Sequence, residues 1–179
     1  MKFNLRSVVM CGLFAALTAI FTVIMIPLPG MVPITLSSAS VFLAGALLGA
    51  KYGAASQLAY VLLGAAGLPI FTGQRGGLSA LFGPTGGFLL GYILTAWGVG
   101  FVSDRLGCKT RYMAPAMALG QIFLTYLPGL LWYMVYFRGE KGFAAAVTAC
   151  ALPFLPGDAI KVAVCSVLSP RLKRLIDRR

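Results

Sequence analysis

Residues 36–68 read LSSASVFLAGALLGAKYGAASQLAYVLLGAAGL, and Lys51 is the one charged residue among them. The parts on either side of it, 36–50 and 52–68, are close to the ~20 apolar residues that cross a bilayer as a helix. A single lysine leaves room for only a short turn between two such helices. The stretch therefore predicts a hairpin of membrane-spanning helices, and with it an all-α integral membrane fold.

Comparable apolar runs occur along the rest of the chain. They cover about residues 7–26, 84–102, 112–137 and the region from Pro156 to the basic tail at 171–179. With the hairpin they predict one transmembrane domain, residues 1–179, of about six helices. The segment 142–152 is too short to span, so we expect it to be interfacial or re-entrant. The first run is long for a signal peptide, and no small-residue cleavage site follows it.

The composition excludes several classes of protein. Hydrophobic residues make up 59% of the chain and charged residues 11%, whereas a soluble domain carries roughly 25% charged residues. There is no histidine, and the four cysteines are dispersed, so the sequence predicts no metal site. It also lacks a P-loop, so ATP hydrolysis by that route is not expected. We therefore predict a protein that is not an enzyme and holds no cofactor, and that binds or passes a small polar solute.

The basic residues are divided unequally between the two sides of a six-helix model, which places both termini together. One side carries Lys2, Arg6, Lys51, Arg105, Lys109, Arg111, Arg171, Lys173, Arg174, Arg178 and Arg179. The other side carries Arg75, Arg138 and Lys141. Because lysine and arginine are enriched in cytoplasmic segments, both termini are predicted to be cytoplasmic. The formal charge of +11 is then a topology signal and does not indicate nucleic-acid binding.

One acid–base pair is predicted to lie at membrane depth. Asp158 and Lys161 follow Pro156 and Gly157, and residues three apart share a helix face. A charge in the hydrocarbon region costs on the order of 3 kcal/mol, so such a pair indicates a polar cavity. The alternative is a carboxylate at a helix start, favoured by the helix dipole and neutralised by its own lysine.

A glycine-rich stretch is the second candidate site. Residues 67–77 read GLPIFTGQRGG, which is too rich in glycine for a helix and too apolar for a solvated turn. Glycine permits unusual backbone angles and the close approach of a ligand. The alternative is a plain connecting loop. The candidate binding residues are Phe71, Gly73, Gln74, Arg75, Gly76 and Gly77.

Small residues recur four positions apart in three places. They are Gly45, Gly49 and Gly53; Gly83, Gly87 and Gly91; and Ala15 and Ala19. This spacing puts small side chains on one helix face and allows helix backbones to approach closely. Two interpretations are open, which are packing inside the bundle and a docking surface for another membrane protein.

Taken together, these motifs resemble a known family. The stretch 67–73, then Gly76-Gly77 and residues 83–87, is similar to the signature of the BioY family. These proteins are the biotin-specific S components of energy-coupling-factor transporters. Residues 156–161 resemble a second signature of that family. The resemblance extends over nearly the whole chain.

The resemblance implies both a ligand and partners. It implies a six-helix bundle in a prokaryotic plasma membrane, with biotin bound near the outer face by Asp158 and Lys161. It also implies an ATP-driven module of two ATPase subunits and a transmembrane coupling protein, which Ala15 and Ala19 would contact. Alternatives are an S component for another vitamin and a channel formed by a homo-oligomer.

We expect cysteine-accessibility labelling to find the C-terminus in the cytoplasm, because the basic residues favour that side by eleven to three. The measurement uses a cysteine placed after Arg179 in a variant without the native cysteines. Labelling of that cysteine by an impermeant reagent added outside intact cells would contradict the predicted topology.

Overall fold

Helices account for most of the chain in this computed structural model, which describes residues 5–26, 32–138 and 142–177. The main helices are α1 (Leu5–Val23), α2 (Ser37–Ala65), α4 (Gly86–Leu106), α5 (Thr110–Leu119), α6 (Leu127–Tyr136) and α8 (Leu155–Asp177). Two short helices are α3 (Leu78–Leu81) and α7 (Phe143–Cys150), and a π-helical turn, Gly120–Tyr126, joins α5 to α6. A two-residue strand pair, β1 (Met25–Ile26) and β2 (Ile34–Thr35), follows α1.

The predicted hairpin is present within α2. Gly49 has φ +80° and ψ 179°, which breaks the helix into arms at 37–48 and 50–65. The arms fold against each other, since a Cβ on Gly53 would lie 2.9 Å from the Cα of Gly45. The turn is at Gly49 rather than at Lys51, because only glycine adopts this positive φ without strain.

Among the described residues, three helical stretches are long and apolar enough to cross a membrane: Leu5–Val23, Gly86–Leu106 and the continuous run Thr110–Tyr136. α7 and α8 meet at an angle of 54° and together satisfy the same criterion. With the two shorter arms of α2, the described residues form six main helical segments, the number that the sequence predicts. The segment 142–152 forms the eight-residue α7 and a turn, in agreement with its predicted shortness.

Both described chain ends lie at one end of the bundle, which we name the terminal end. The side chain of Arg6 donates to the carbonyl of Ile176. Asp104, near the end of α4, accepts the N–H of Ala50 at 2.8 Å. Lys173 donates to the carbonyl of Leu47 at 2.8 Å.

These contacts bring the start of α1, the turn of α2 and the ends of α4 and α8 together, as the topology prediction requires. The opposite end, with residues 67–85 and the start of α8, is the loop end. Lys2, Lys141, Arg178 and Arg179 of the predicted charge bias lie outside the described residues.

The glycine repeats serve internal packing. A Cβ on Gly45 would lie 2.5 Å from the carbonyl oxygen of Ala96 on α4. A Cβ on Gly91 would lie 2.7 Å from the Cα of Thr125. Of the two interpretations of the repeats, close helix contact within the bundle is therefore the one observed here.

The two alanines of the predicted docking pair, Ala15 and Ala19, lie on α1 beside the second arm of α2. Ala15 is 3% exposed and packs in a core cluster with Tyr60 and Val61 of α2. Ala15 therefore takes part in packing within the bundle, and the docking role of the pair stays a prediction. Ala19 is half-buried beside the same cluster.

We expect Gly45→Ala to destabilise the bundle, because its methyl group would overlap the backbone of α4. Overpacking of this kind costs about 1–3 kcal/mol. Gly12→Ala on α1 is the matched control, since a Cβ there meets nothing within 4 Å. Thermal unfolding in detergent should show a lower midpoint for Gly45→Ala alone; equal midpoints for the two variants would contradict the packing described here.

Candidate ligand-binding site

A small polar cavity lies between the helices at the loop end. Its volume is about 50 Å³. Its walls come from β2 and the residues before it, the first arm of α2, the glycine-rich loop, α4, the π-helical turn and the start of α8. The lining residues are Val32, Pro33, Ile34, Thr35, Ser38, Thr72, Thr85, Phe88, Leu89, Tyr92, Gln121, Thr125, Tyr126, Phe154, Asp158 and Lys161.

The predicted pair of Asp158 and Lys161 forms the polar floor of this cavity. The two side chains lie in the first turns of α8, and Nζ of Lys161 is 2.8 Å from Oδ1 of Asp158. Asp158 is 6% exposed, so the carboxylate is almost fully enclosed. A buried pair is tolerated when hydrogen bonds satisfy its remaining atoms, and here they do.

Four side chains donate to the Asp158 carboxylate. Oδ1 accepts from Lys161 and, at 3.4 Å, from the hydroxyl of Ser38. Oδ2 accepts from Nε2 of Gln121 at 2.8 Å and from the hydroxyl of Tyr126. None of these donors is a backbone N–H of α8, so the carboxylate joins three helical segments and does not act as a helix cap.

The ammonium of Lys161 also has three hydrogen-bond acceptors around it. It donates to the carbonyl of Thr35 at 2.6 Å and to the hydroxyl of Ser38 at 3.1 Å, in addition to Asp158. These contacts use its three protons. Thr35 in turn shares a hydrogen bond of 2.6 Å with Ser37, which is 2.7 Å from the hydroxyl of Tyr92. The strand pair after α1 therefore positions a carbonyl for the lysine.

A larger cavity of about 660 Å³ adjoins the first one. Pro33, Thr72 and Thr85 line both, so the two cavities are neighbours. The glycine-rich loop forms one wall of the larger cavity. In this loop, the backbones of Phe71 and Arg75 form two hydrogen bonds, of 2.9 and 3.3 Å, which close a tight hairpin.

The structure separates the predicted loop residues into two groups. Phe71, Gly73, Arg75 and Gly76 line the larger cavity. Gln74 and Gly77 line neither cavity, which differs from the prediction. Gln74 is exposed at the hairpin tip with φ +56°, and Gly77, with φ +87°, is the turn residue before α3.

Phe71 owes its position to Tyr60 and Gly64. Its ring packs edge-on against that of Tyr60, with the centroids 5.6 Å apart. Any side chain at Gly64 would collide with the Phe71 ring. The Tyr60 hydroxyl also donates to the carbonyl of Ile70 at 3.0 Å, which anchors the loop to α2.

Sequence reasoning did not identify Ser38, Gln121 or Tyr126 as site residues. The sequence did contain a signal for Gln121, because it is an amide within the mostly apolar run 112–137. Polar side chains inside a membrane span often mark a functional site. Serine and tyrosine are common in such spans, so Ser38 and Tyr126 carry no comparable signal.

Comparisons with known proteins identify the family of the chain. The BioY family model matches residues 1–178. A biotin transporter BioY of Thermotoga maritima is 38% identical over 96% of this chain and 98% of its own length. A biotin transporter BioY of Rhodobacter capsulatus is 42% identical over 92% of this chain and 91% of its own.

A solved structure is similar over nearly the full length. It is the S-component for biotin from an ECF-type ABC transporter, with a TM-score of 0.85 and 27% identity over 97% of this chain and 95% of that one. The family match, the relatives and the shared fold agree, and this chain belongs to the BioY family.

Proposed function

We propose that this chain captures biotin at the loop end of the bundle, as the substrate-binding subunit of an ATP-driven transporter in a prokaryotic plasma membrane. The curated relatives named above are biotin transporters, and the similar solved structure is an S-component for biotin. The cavity floor of Asp158 and Lys161 supplies the chemistry that a cyclic urea requires.

The observation that carries this proposal is the bridging position of Ser38. Its hydroxyl donates to Asp158 at 3.4 Å and accepts from Lys161 at 3.1 Å. The urea ring of biotin has an N–H donor next to a carbonyl acceptor, which is the same pair of groups. Biotin therefore binds by replacing this hydroxyl, with an N–H on Asp158 and the carbonyl on Lys161.

The larger cavity suits the rest of the ligand. Small-ligand pockets usually measure about 300–1,000 Å³. The cavity of about 50 Å³ beside Asp158, which we call the floor cavity, is too small alone, so in this proposal the ligand occupies both cavities. Phe88, Phe154 and Phe71 offer apolar surface to the bicyclic ring and the hydrocarbon tail. Arg75 lines the larger cavity, and in this proposal its guanidinium pairs with the carboxylate of the tail.

The glycines of the loop allow its hairpin to form close to the ligand. Gly73 has φ +74°, which a side chain would strain, and a Cβ on Gly76 would collide with the backbone of Leu68. In this proposal they shape the wall that carries Arg75 and do not bind the ligand through side chains.

The energy for uptake comes from partner subunits. The sequence has no P-loop, so two ATPase subunits and a transmembrane coupling protein would supply ATP hydrolysis and the conformational change. In this proposal Ala19, which is half-buried on α1, remains a contact to the coupling protein, whereas Ala15 is enclosed within the bundle.

We expect Asp158→Asn to weaken biotin binding by about 10- to 150-fold, the effect of losing a hydrogen bond to a charged group of about 1.5–3 kcal/mol. The amide would also place an N–H donor against side chains that already donate. Asp104→Asn at the terminal end is the matched control, because it removes a carboxylate that holds the α2 turn. It should lower the unfolding temperature and leave biotin affinity unchanged.

Calorimetry and thermal unfolding on the same preparations provide the measurements. If Asp158→Asn lowers stability but binds biotin as the unmodified protein does, Asp158 is structural and this account of the site is wrong. If folded, unmodified protein binds no biotin, the proposed function itself is wrong.

A separate prediction concerns Arg75. We expect Arg75→Gln to weaken biotin binding by roughly 2- to 5-fold, because an exposed ion pair contributes up to about 1 kcal/mol. It should not change the affinity for biotin amide, which has no carboxylate. Arg138→Gln removes an exposed charge that lines neither cavity and serves as the control. Equal losses for biotin and its amide would refute the assigned role of Arg75.

A further inference from the structure

One buried side-chain atom of the described residues has no hydrogen-bond partner, and it belongs to the site. It is Oε1 of Gln121, a residue that lines the floor cavity and is 6% exposed. Buried polar atoms in native proteins are nearly always paired, so an unpaired one in a cavity indicates a partner that arrives from elsewhere.

The orientation of the Gln121 amide is fixed by its other atom. Nε2 donates to Oδ2 of Asp158 at 2.8 Å. A flipped amide would place Oε1 against the carboxylate, where two acceptors would repel each other. The unpaired group is therefore the amide oxygen, which accepts hydrogen bonds from N–H or O–H groups.

Asp158 cannot take this role for a second donor. A carboxylate has about four lone-pair positions. Those of Asp158 are used by Lys161, Gln121, Tyr126 and Ser38. Replacement of Ser38 frees one position, for one N–H of a ligand. A cyclic urea has a second N–H, and Gln121, whose Oε1 is unpaired, is a residue that lines the same cavity.

The π-helical turn explains how Gln121 reaches this place. Gln121 and Tyr126 are five residues apart, and both donate to Oδ2 of Asp158. In an α-helix, with 3.6 residues per turn, residues five apart point about 140° away from each other. In a π-helix the hydrogen bonds run from i to i+5, so such residues lie on nearly the same face.

Contacts with α4 maintain this turn. The hydroxyl of Thr95 donates to the carbonyl of Gly120 at 3.1 Å and is 2.6 Å from the hydroxyl of Thr125. Gly91 leaves space for the backbone of Thr125. The wider turn is therefore built into the packing of α4 against the π-helical segment.

We propose that Gln121 is a specificity-determining residue whose Oε1 accepts the second N–H of a cyclic urea, and that the π-helical turn holds it in position through Thr95. This inference rests on the proposed function, since it takes the ligand to be biotin. It assigns the two N–H groups of the urea to different residues, one to Asp158 and one to Gln121.

The test compares biotin with its two analogues methylated on one or the other urea nitrogen. We expect Gln121→Ala to weaken biotin binding by about 2- to 10-fold, the effect of one neutral hydrogen bond. For one of the two isomers, the preference for biotin over the analogue should also narrow by a similar factor, because the variant lacks the acceptor and has room for the methyl group.

Gln57→Ala is the matched control. Gln57 is a fully buried amide that pairs with Thr18 and Ser56 and lines neither cavity. Its loss should lower the unfolding temperature and leave the preference between biotin and both analogues unchanged. Thr95→Val tests whether the π-helical turn positions Gln121. Thr95 lines neither cavity, but its replacement should narrow the same preference as Gln121→Ala does.

The outcomes are distinguishable by calorimetry. If the unmodified protein binds biotin and Gln121→Ala keeps both the affinity and the full preference against each analogue, this inference is wrong while the proposed function stands. If Gln121→Ala narrows the preference for biotin over the analogue but Thr95→Val does not, the assigned role of the turn is wrong. If the folded, unmodified protein binds no biotin, both the inference and the proposed function are overturned.

Discussion

The buried pair of Asp158 and Lys161 is the constraint on which the loop end of this bundle depends. A charged pair in the hydrocarbon region is stable only when each proton and lone pair finds a partner, because unpaired groups there are costly. The first arm of α2, the strand pair, the π-helical turn and α8 each supply a part of that shell. The positions of these elements are therefore linked through two side chains.

The span pattern and the pair itself were predictable from the sequence. Hydrophobic length identified the spans, and a lone acid–base pair in an apolar segment identified Asp158 and Lys161. Such signals are local, because each depends on residues close together in the chain. The turn of α2 was predicted at Lys51, the one charged residue of the stretch, but it lies two residues earlier. The positive φ of Gly49 sets its position.

The rest of the site depended on geometry that sequence spacing does not contain. The π-helical turn rotates Gln121 and Tyr126 onto one face, and nothing in the apolar run 112–137 indicates that extra width. Gln74 illustrates the opposite error. It stands beside Arg75 in the sequence, but the left-handed backbone at the hairpin tip turns it into solvent. Repeat spacing likewise does not show which neighbour a small helix face contacts, and Ala15 lies in a cluster with Tyr60 and Val61 of α2.

The attachment of α8 to the first arm of α2 has a mechanical consequence. At the loop end, Lys161 and Asp158 hold Ser38, and at the terminal end Lys173 holds the carbonyl of Leu47. The two points on the arm are about 14 Å apart, at ~1.5 Å per residue. Because α8 is fastened to this arm at both points, a displacement of the arm at Ser38 also moves its other end at Leu47, beside the α2 turn.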